Sequence, residues 1–181
     1  MKTIKCILLV SFLGINSCTI DEEFRPVFPP DLEDIEGDII AFKINGELRI
    51  SYNEVSFGYG TNAAGIEWWR RKTDEDGNRF IINESIRISI RDFSPAVNYY
   101  TLDGLYEEED RSRAYYANKP IRPETVFHTD SLHTGYVEFI RFDPETSDDR
   151  RAAGYFQFDA VKHSTGEVVK ITQGHFSVRI N

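Results

Sequence analysis

Apolar and polar residues alternate along most of this chain with a period of two. Ile86, Ile88 and Ile90 share one face of such a segment, and polar residues stand between them. This alternation is typical of a β-strand with one buried face. Asn45-Gly46 separates two apolar segments, and both residues tolerate positive φ, which predicts a tight hairpin. The pattern therefore predicts strands joined by short turns.

Further segments have the same character, and none shows a convincing helical stripe. Strands are predicted near 39–44, 48–52, 68–70, 80–82, 86–90, 97–102, 125–128 and 134–142. The glycine-bearing segment 58–65 is interpreted as a flexible loop, because it lacks the Gly-Lys-Ser/Thr of a phosphate loop. Many short strands divided by turns predict an all-β fold. We expect a mostly antiparallel β-sandwich or open β-barrel, formed as a single domain by residues 39–181.

The sequence of residues 153–181 predicts a closing hairpin. Phe156 and Phe158 share a face of its first strand, and Phe176 and Val178 share a face of its second. These four side chains are predicted to lie in the core. Gly174 interrupts the second strand, which predicts a bulge.

The first 17 residues have the layout of a secretory signal peptide. Lys2 and Lys5 precede an apolar run over 7–13, and small residues follow it up to Cys18. That order is typical of a cleaved export signal. The apolar run is too short to cross the roughly 30 Å hydrocarbon core of a bilayer as a helix.

The end of this signal carries a more specific motif. Ile15, Asn16, Ser17 and Cys18 resemble a bacterial lipobox, in which cleavage precedes a lipidated cysteine. Asn16 replaces the usual small apolar residue, a departure familiar in lipoproteins of the Bacteroidetes type. The resemblance implies that residues 1–17 are removed and that Cys18 carries the lipid. The protein would then be an outer-membrane lipoprotein, facing the periplasm or displayed at the cell surface.

Residues 18–38 read as a tether between the lipidated cysteine and the β domain. After Cys18 the segment contains three prolines, eight acids and one arginine. Prolines stiffen such a segment, and like charges extend it. The run Asp21-Glu22-Glu23 resembles the acidic surface-export signal of such lipoproteins; the alternative is an ordinary solvated linker.

Charge and cysteine content narrow the possible partners. The chain has a formal net charge of −9, and removal of two signal lysines makes it −11. An acidic chain repels a phosphate backbone, so we expect no nucleic-acid partner. Membrane attachment is expected through the lipid at Cys18. The other cysteine, Cys6, lies in the signal, so no disulfide or cysteine nucleophile is expected.

Two stretches of the closing hairpin carry a family resemblance. AAGYFQFDAV (152–161) and VVKITQGHFSVRI (168–180) resemble the closing strands of a family of uncharacterised small Bacteroidetes-type lipoproteins. AVNYYTLDG (96–104) is similar to their usual G-x-Y-x-L strand, with Asn98 in place of the glycine. The resemblance implies a small exported β domain with no established activity, and it carries no catalytic residue.

No motif in the chain predicts a catalytic, cofactor or metal site. The turn at 74–78 is rich in acids, but Arg79 and Ser85 stand where a calcium-binding EF-hand loop needs glycine and glutamate. The four histidines lack the spacing of a zinc motif and are expected to face solvent at strand ends and turns, although His128 and His133 bracket a turn and could converge. A pair of carboxylates suitable for glycan hydrolysis stays possible, because acids are abundant.

Adjacent aromatic residues indicate where recognition would occur. Neighbours in a strand point to opposite faces, so one residue of each pair is expected in the core. Trp68, Trp69 and Arg70 form the candidate recognition surface, with a glycan or a surface protein as the partner. Cross-strand packing that only shields the sheet is the alternative.

Asp130-Ser131-Leu132 resembles the D-S/T-aliphatic acceptor motif for O-glycans on exported Bacteroidetes-type proteins. The resemblance implies modification of Ser131. Taken together, the sequence predicts a lipid-anchored, non-enzymatic binding or accessory module. A carboxylate-dependent glycan hydrolase and a structural envelope partner are the alternatives.

Overall fold

The computed structural model describes residues 37–72, 81–105, 107–118, 125–145 and 150–180. The predicted signal peptide, Cys18 and the acidic turn at 74–78 lie outside the described residues. The described part of the chain is almost entirely antiparallel β-sheet and forms one domain. The predicted all-β, single-domain fold is therefore confirmed.

Within the described part of the chain, eleven strands hydrogen-bond into one sheet. They are β1 (Ile39–Ile44), β2 (Glu47–Tyr52), β3 (Val55–Tyr59), β4 (Ala63–Lys72), β5 (Ile81–Arg91), β6 (Tyr99–Leu102), β7 (Arg113–Ala117), β8 (Val126–His128), β9 (Gly135–Asp143), β10 (Arg151–Lys162) and β11 (Glu167–Arg179). The main path runs β2-β1-β11-β10-β8-β7-β5-β4-β3, and β9 pairs with both β10 and β6.

The sheet is nearly closed, because the β3 end of this path returns to the end of β11. β2 and β3 follow one another in the chain, separated by a bend at Asn53, whose φ is +59°. Positive φ is tolerated by asparagine more readily than by most residues, which suits it to this bend. A parallel bridge between Phe57 and Ile180 joins β3 to the end of β11. Of the two predicted architectures, the structure is therefore a barrel-like sheet.

The core fills the inside of this barrel, as the alternation predicts. Ile86, Ile88 and Ile90 are at most 1 % exposed, and the polar residues between them turn outward. The predicted inward residues of the closing hairpin are also buried: Phe156, Phe158, Phe176 and Val178. Each residue fills a site where truncation would leave a cavity.

A bulge interrupts β11 where Gly174 predicts one. The pairing of β10 with β11 shifts register between Phe156 and Phe158, and Gln173 has a φ of +53°. Gly174 lies directly opposite Phe156 and against its ring. The glycine allows this close approach because it has no Cβ.

The predicted flexible loop over 58–65 is wrong. Gly58 belongs to β3 and Gly65 to β4, and the two residues are paired across a hairpin whose turn is only 60–62. Backbone pairing between the strands needs no side chain, so glycine is compatible with it. Because Gly58 and Gly65 have no side chains, the outer surface of the sheet is lower at this pair.

β2 presents its apolar side chains to solvent. Leu48, Ile50 and Tyr52 are each more than half exposed, whereas Arg49 between them is largely covered. β2 therefore does alternate between apolar and polar residues, but its polar face is the one that turns inward. Arg49 finds a buried carboxylate there, which offsets the cost of covering its charge.

Candidate functional site

A trough of about 460 Å³ crosses the outer face of strands β3, β4, β5 and β7. We call it the outer trough. Its floor follows one row of directly paired residues, Gly58, Gly65 and Ser89, and the row ends at Arg113 on β7. These positions face away from the core. On β5 the alternate residues Ile86, Ile88 and Ile90 point into the core, so Ser89 and its paired neighbours face outward.

The floor of the outer trough is nearly free of side chains. A Cβ added at Gly58 would meet nothing within 4 Å, and one at Gly65 would reach only the Ile88 carbonyl oxygen, at 3.5 Å. The glycines are therefore not required by packing beneath them. Their effect is to leave backbone and the Ser89 side chain accessible to a ligand.

Arginines surround this floor. Arg87, Arg91 and Arg113 line the trough together with a single acid among the described residues, Glu67. Arg87 Nε lies 3.0 Å from a Glu67 carboxylate oxygen. Three positive charges and one negative charge leave a local excess of two positive charges in a chain of net charge −9. The trough is thus a basic site on an acidic protein.

A second, smaller opening lies between β2 and the end of β4. This polar cleft has a volume of about 310 Å³ and is lined by Arg49, Trp68 and Arg70 among others. Just beneath it, Glu84 accepts a hydrogen bond of 2.7 Å from the Tyr116 hydroxyl. Arg49 and Arg70 each place a nitrogen 3.5–3.7 Å from the other oxygen of that carboxylate.

The polar cleft has the properties of a buried structural network. Burial, together with the hydrogen bond and the negative charge of Glu84, raises the pKa of Tyr116 well above its usual value. The Trp68 indole N–H has no acceptor within the described residues, although its ring packs edge-on against Phe42 at 4.8 Å between centroids. Arg49 and Arg70 both approach Glu84, and Arg49 also pairs with Glu47, so the charges of this group are paired with one another.

The structure does not bring the sequence-predicted recognition residues together. Trp68 is 2 % exposed and belongs to the core. Trp69 is half-buried and turns outward, on the face of β4 that carries Gly65 and Glu67. Arg70 is exposed at the rim of the polar cleft. Trp69 alone therefore shares a face with the outer trough.

Ser131 lies in an exposed turn between β8 and β9. The Asp130 carboxylate organises this turn by accepting hydrogen bonds from the backbone N–H groups of Leu132 and His133 and from the His133 ring. Burial opposes ionisation of Asp130, but these bonds together lower the pKa of its carboxyl group. The turn holds Ser131 and Leu132 outward.

The histidines differ from the expectation of solvent-facing side chains. His128 stacks on His163 at 5.6 Å between ring centroids, and His133 contacts Asp130 rather than His128. His175 turns outward by parity but is only 5 % exposed. Burial lowers the pKa of His175 to about 4. The expectation is therefore wrong for His175, because neighbouring strands and Tyr155 cover its ring.

Two further properties concern the described residues alone. No group of three or more His, Cys, Asp or Glu side chains among them is placed to hold a metal ion. No helix within them has the length and apolar character needed to span a bilayer.

Comparisons of the chain with protein-family models, with curated proteins and with solved structures find no match. The fold and the outer trough define a single-domain, barrel-like β-protein with a basic groove on one outer face. Sequence reasoning missed Gly58, Gly65 and Arg113 as parts of that groove. The sequence signal for the groove was that Arg87 and Arg91 alternate with the core isoleucines of β5 and so face outward.

Proposed function

We propose that this chain is an exported, lipid-anchored and non-enzymatic module that binds a ligand in the outer trough. The observation that carries the binding role is the trough itself. Arginines surround a floor nearly free of side chains on an otherwise acidic protein. A volume of about 460 Å³ falls within the range of roughly 300–1,000 Å³ for ligand sites. The partner is a glycan or a surface protein.

The export and anchoring part of the proposal is supported by the N-terminal sequence. A basic start, an apolar run and the motif ending at Cys18 resemble a lipoprotein signal of the small Bacteroidetes-type family. Cys18 would attach the domain to the outer membrane, facing the periplasm or the cell surface. Residues 19–38 would place the trough up to about 65 Å from the lipid.

Intact-mass measurement of the protein purified from membranes tests the anchor. We expect a chain that begins at Cys18 and carries acyl groups, and we expect Cys18→Ala to accumulate as uncut precursor. A wild-type chain that begins at Thr19, or an unmodified Cys18, would contradict the anchor without affecting the binding role.

A steric block tests the binding role. Gly65→Leu should fold, because a Cβ there makes only an ordinary contact, but its larger side chain would fill the trough. Gln157→Leu places the same side chain on an exposed position of β10 and serves as the control. A glycan and surface-protein binding screen should show ligands that bind the wild type and the control but not Gly65→Leu. Equal binding by all three would rule out the trough.

Ser131 is proposed as an O-glycan acceptor. Its exposed turn, fixed by the hydrogen bonds to Asp130, presents the hydroxyl to solvent. The carbohydrate would lie at the turn between β8 and β9, whereas the trough is formed by β3, β4, β5 and β7.

A further inference from the structure

Three arginines of the outer trough surround one serine. Arg87 and Arg91 stand two residues to either side of Ser89 on the outward face of β5. Arg113 lies directly opposite Ser89 on β7. Diagonal neighbours in a sheet are about 7–8 Å apart, so Arg113 is within reach of both other arginines. We call this group the arginine triangle.

The charges of the arginine triangle are only partly compensated. Glu67 pairs with Arg87. Arg113 donates a hydrogen bond to the Glu108 backbone carbonyl, which carries no formal charge. No described residue forms an ion pair with the Arg91 side chain. Like charges held as near neighbours repel one another, so the arrangement gains free energy when an anion enters.

The shape of the trough permits an anion to reach these groups. Gly58 and Gly65 leave the floor open beside Ser89, which stands between Arg87 and Arg91 on β5 and opposite Arg113 on β7. A guanidinium offers paired N–H donors that match the oxygens of carboxylate, sulfate or phosphate. Charge-assisted hydrogen bonds of this kind are about twice as strong as neutral ones.

The position of the trough favours a glycan over a peptide as the carrier of the anion. One recurring way to bind an extended peptide is to add it to a free strand edge, where unpaired backbone groups hydrogen-bond it. The outer trough instead lies across the face of four paired strands. Its floor offers the backbone of Gly58 and Gly65 and the Ser89 hydroxyl, to which the hydroxyl groups of a sugar can hydrogen-bond.

We propose that the arginine triangle binds the oxyanion groups of an acidic glycan, with the sugar chain lying on the floor formed by Gly58, Gly65 and Ser89. This ligand class rests on the proposed binding role of the outer trough. Arg91 and Arg113 supply the uncompensated charge. Arg87 contributes less, because Glu67 already occupies one side of its guanidinium.

Calorimetric titration of the purified full chain tests the proposal. The probes are a uronate oligosaccharide, a sulfated oligosaccharide, a neutral oligosaccharide of equal length, and poly-glutamate. We expect binding of an acidic sugar that weakens as salt rises, since charge pairing is screened. Arg91→Gln and Arg113→Gln should each weaken it about ten- to a hundredfold. Lys170→Gln, which removes an exposed positive charge from the part of β11 that pairs with β1 and β10, should not. Thermal melting of each variant checks that the fold is retained.

Each other outcome overturns a defined part of the account. Binding of the neutral sugar that Gly65→Leu abolishes would keep the binding role and overturn the oxyanion ligand. Binding of poly-glutamate alone would overturn the glycan. Acidic-sugar binding that falls equally in Arg91→Gln and Lys170→Gln would mean nonspecific charge attraction. Binding of none of the probes would overturn the proposed ligand class, and the Gly65→Leu screen would then decide the binding role separately.

Discussion

Gly174→Ala should destabilise the fold more than any glycine substitution at the outer trough. An added Cβ would lie 2.4 Å from the Phe156 carbonyl oxygen and 2.6–2.7 Å from two carbons of its ring. Cβ atoms essentially never approach other heavy atoms within 3.0 Å. The Phe156 ring cannot simply move away, because it is 1 % exposed and packs against Phe42 and Phe176.

The size of the effect follows from these contacts. Overpacking a filled core costs about 1–3 kcal/mol. Both a backbone carbonyl and a buried ring must shift here, so we expect about 3 kcal/mol, near the upper end. For a chain of this size that corresponds to a fall in melting temperature of about 6–12 °C. Gly58→Ala is the control, since its Cβ meets open space and should change stability by less than about 0.5 kcal/mol.

Chemical denaturation of the two variants measures the difference. A double variant that also carries Phe156→Leu separates the two contacts. The loss of unfolding free energy in the double variant should be smaller than the sum of the single losses. Leucine at position 156 has no ring for the added Cβ at position 174 to meet. Equal stability of Gly174→Ala and Gly58→Ala would refute the register that places Gly174 against Phe156.

Three further predictions concern the core, a buried base and the exposed turn. Phe158→Ala should cost about 3–5 kcal/mol in chemical denaturation, whereas Asp159→Ala, its outward neighbour, should cost under about 0.5 kcal/mol; similar losses would mean a wrong register. Burial lowers the pKa of His175 from 6.5 to about 4, so between these pH values the unfolded chain binds a proton that the folded chain does not. The free energy of unfolding should therefore fall by up to about 3 kcal/mol from pH 6.5 to 4. His175→Gln should remove that part of the pH dependence. Ser131→Ala should remove the carbohydrate mass from protein made in the native host, and an unmodified Ser131 in the wild type would contradict the proposed glycan.

Much of the fold follows from alternation, and the reason is local. Ile86, Ile88 and Ile90 need only the two-residue period of one strand to be assigned to the core. The closing hairpin follows in the same way, since its aromatic residues and Gly174 are close together in the chain. Such assignments do not depend on which distant strand becomes a neighbour.

The orientation of β2 could not be predicted in this way. Leu48, Ile50 and Tyr52 have the pattern of a core face, yet they turn outward. The face of β2 that turns inward is set by the contact of Arg49 with Glu84. These residues are 35 positions apart in the chain and meet only after folding. A period of two identifies the two faces of a strand but not which one is buried.

The outer trough has a similar explanation. The parity of Arg87 and Arg91 can be read from one strand, but Arg113 joins them only because β5 pairs with β7. Gly58 and Gly65 suggest a loop when taken alone. Because the two glycines are paired across a hairpin, the absence of both side chains at the same place leaves a groove.

Amide chemical-shift mapping tests the central claim most directly. The full chain is titrated with a uronate or sulfated oligosaccharide while backbone signals are followed by NMR. The account predicts that changes concentrate at Gly58, Gly65 and Ser89. Changes confined to the exposed apolar residues of β2, or no changes at saturating ligand, would contradict the account.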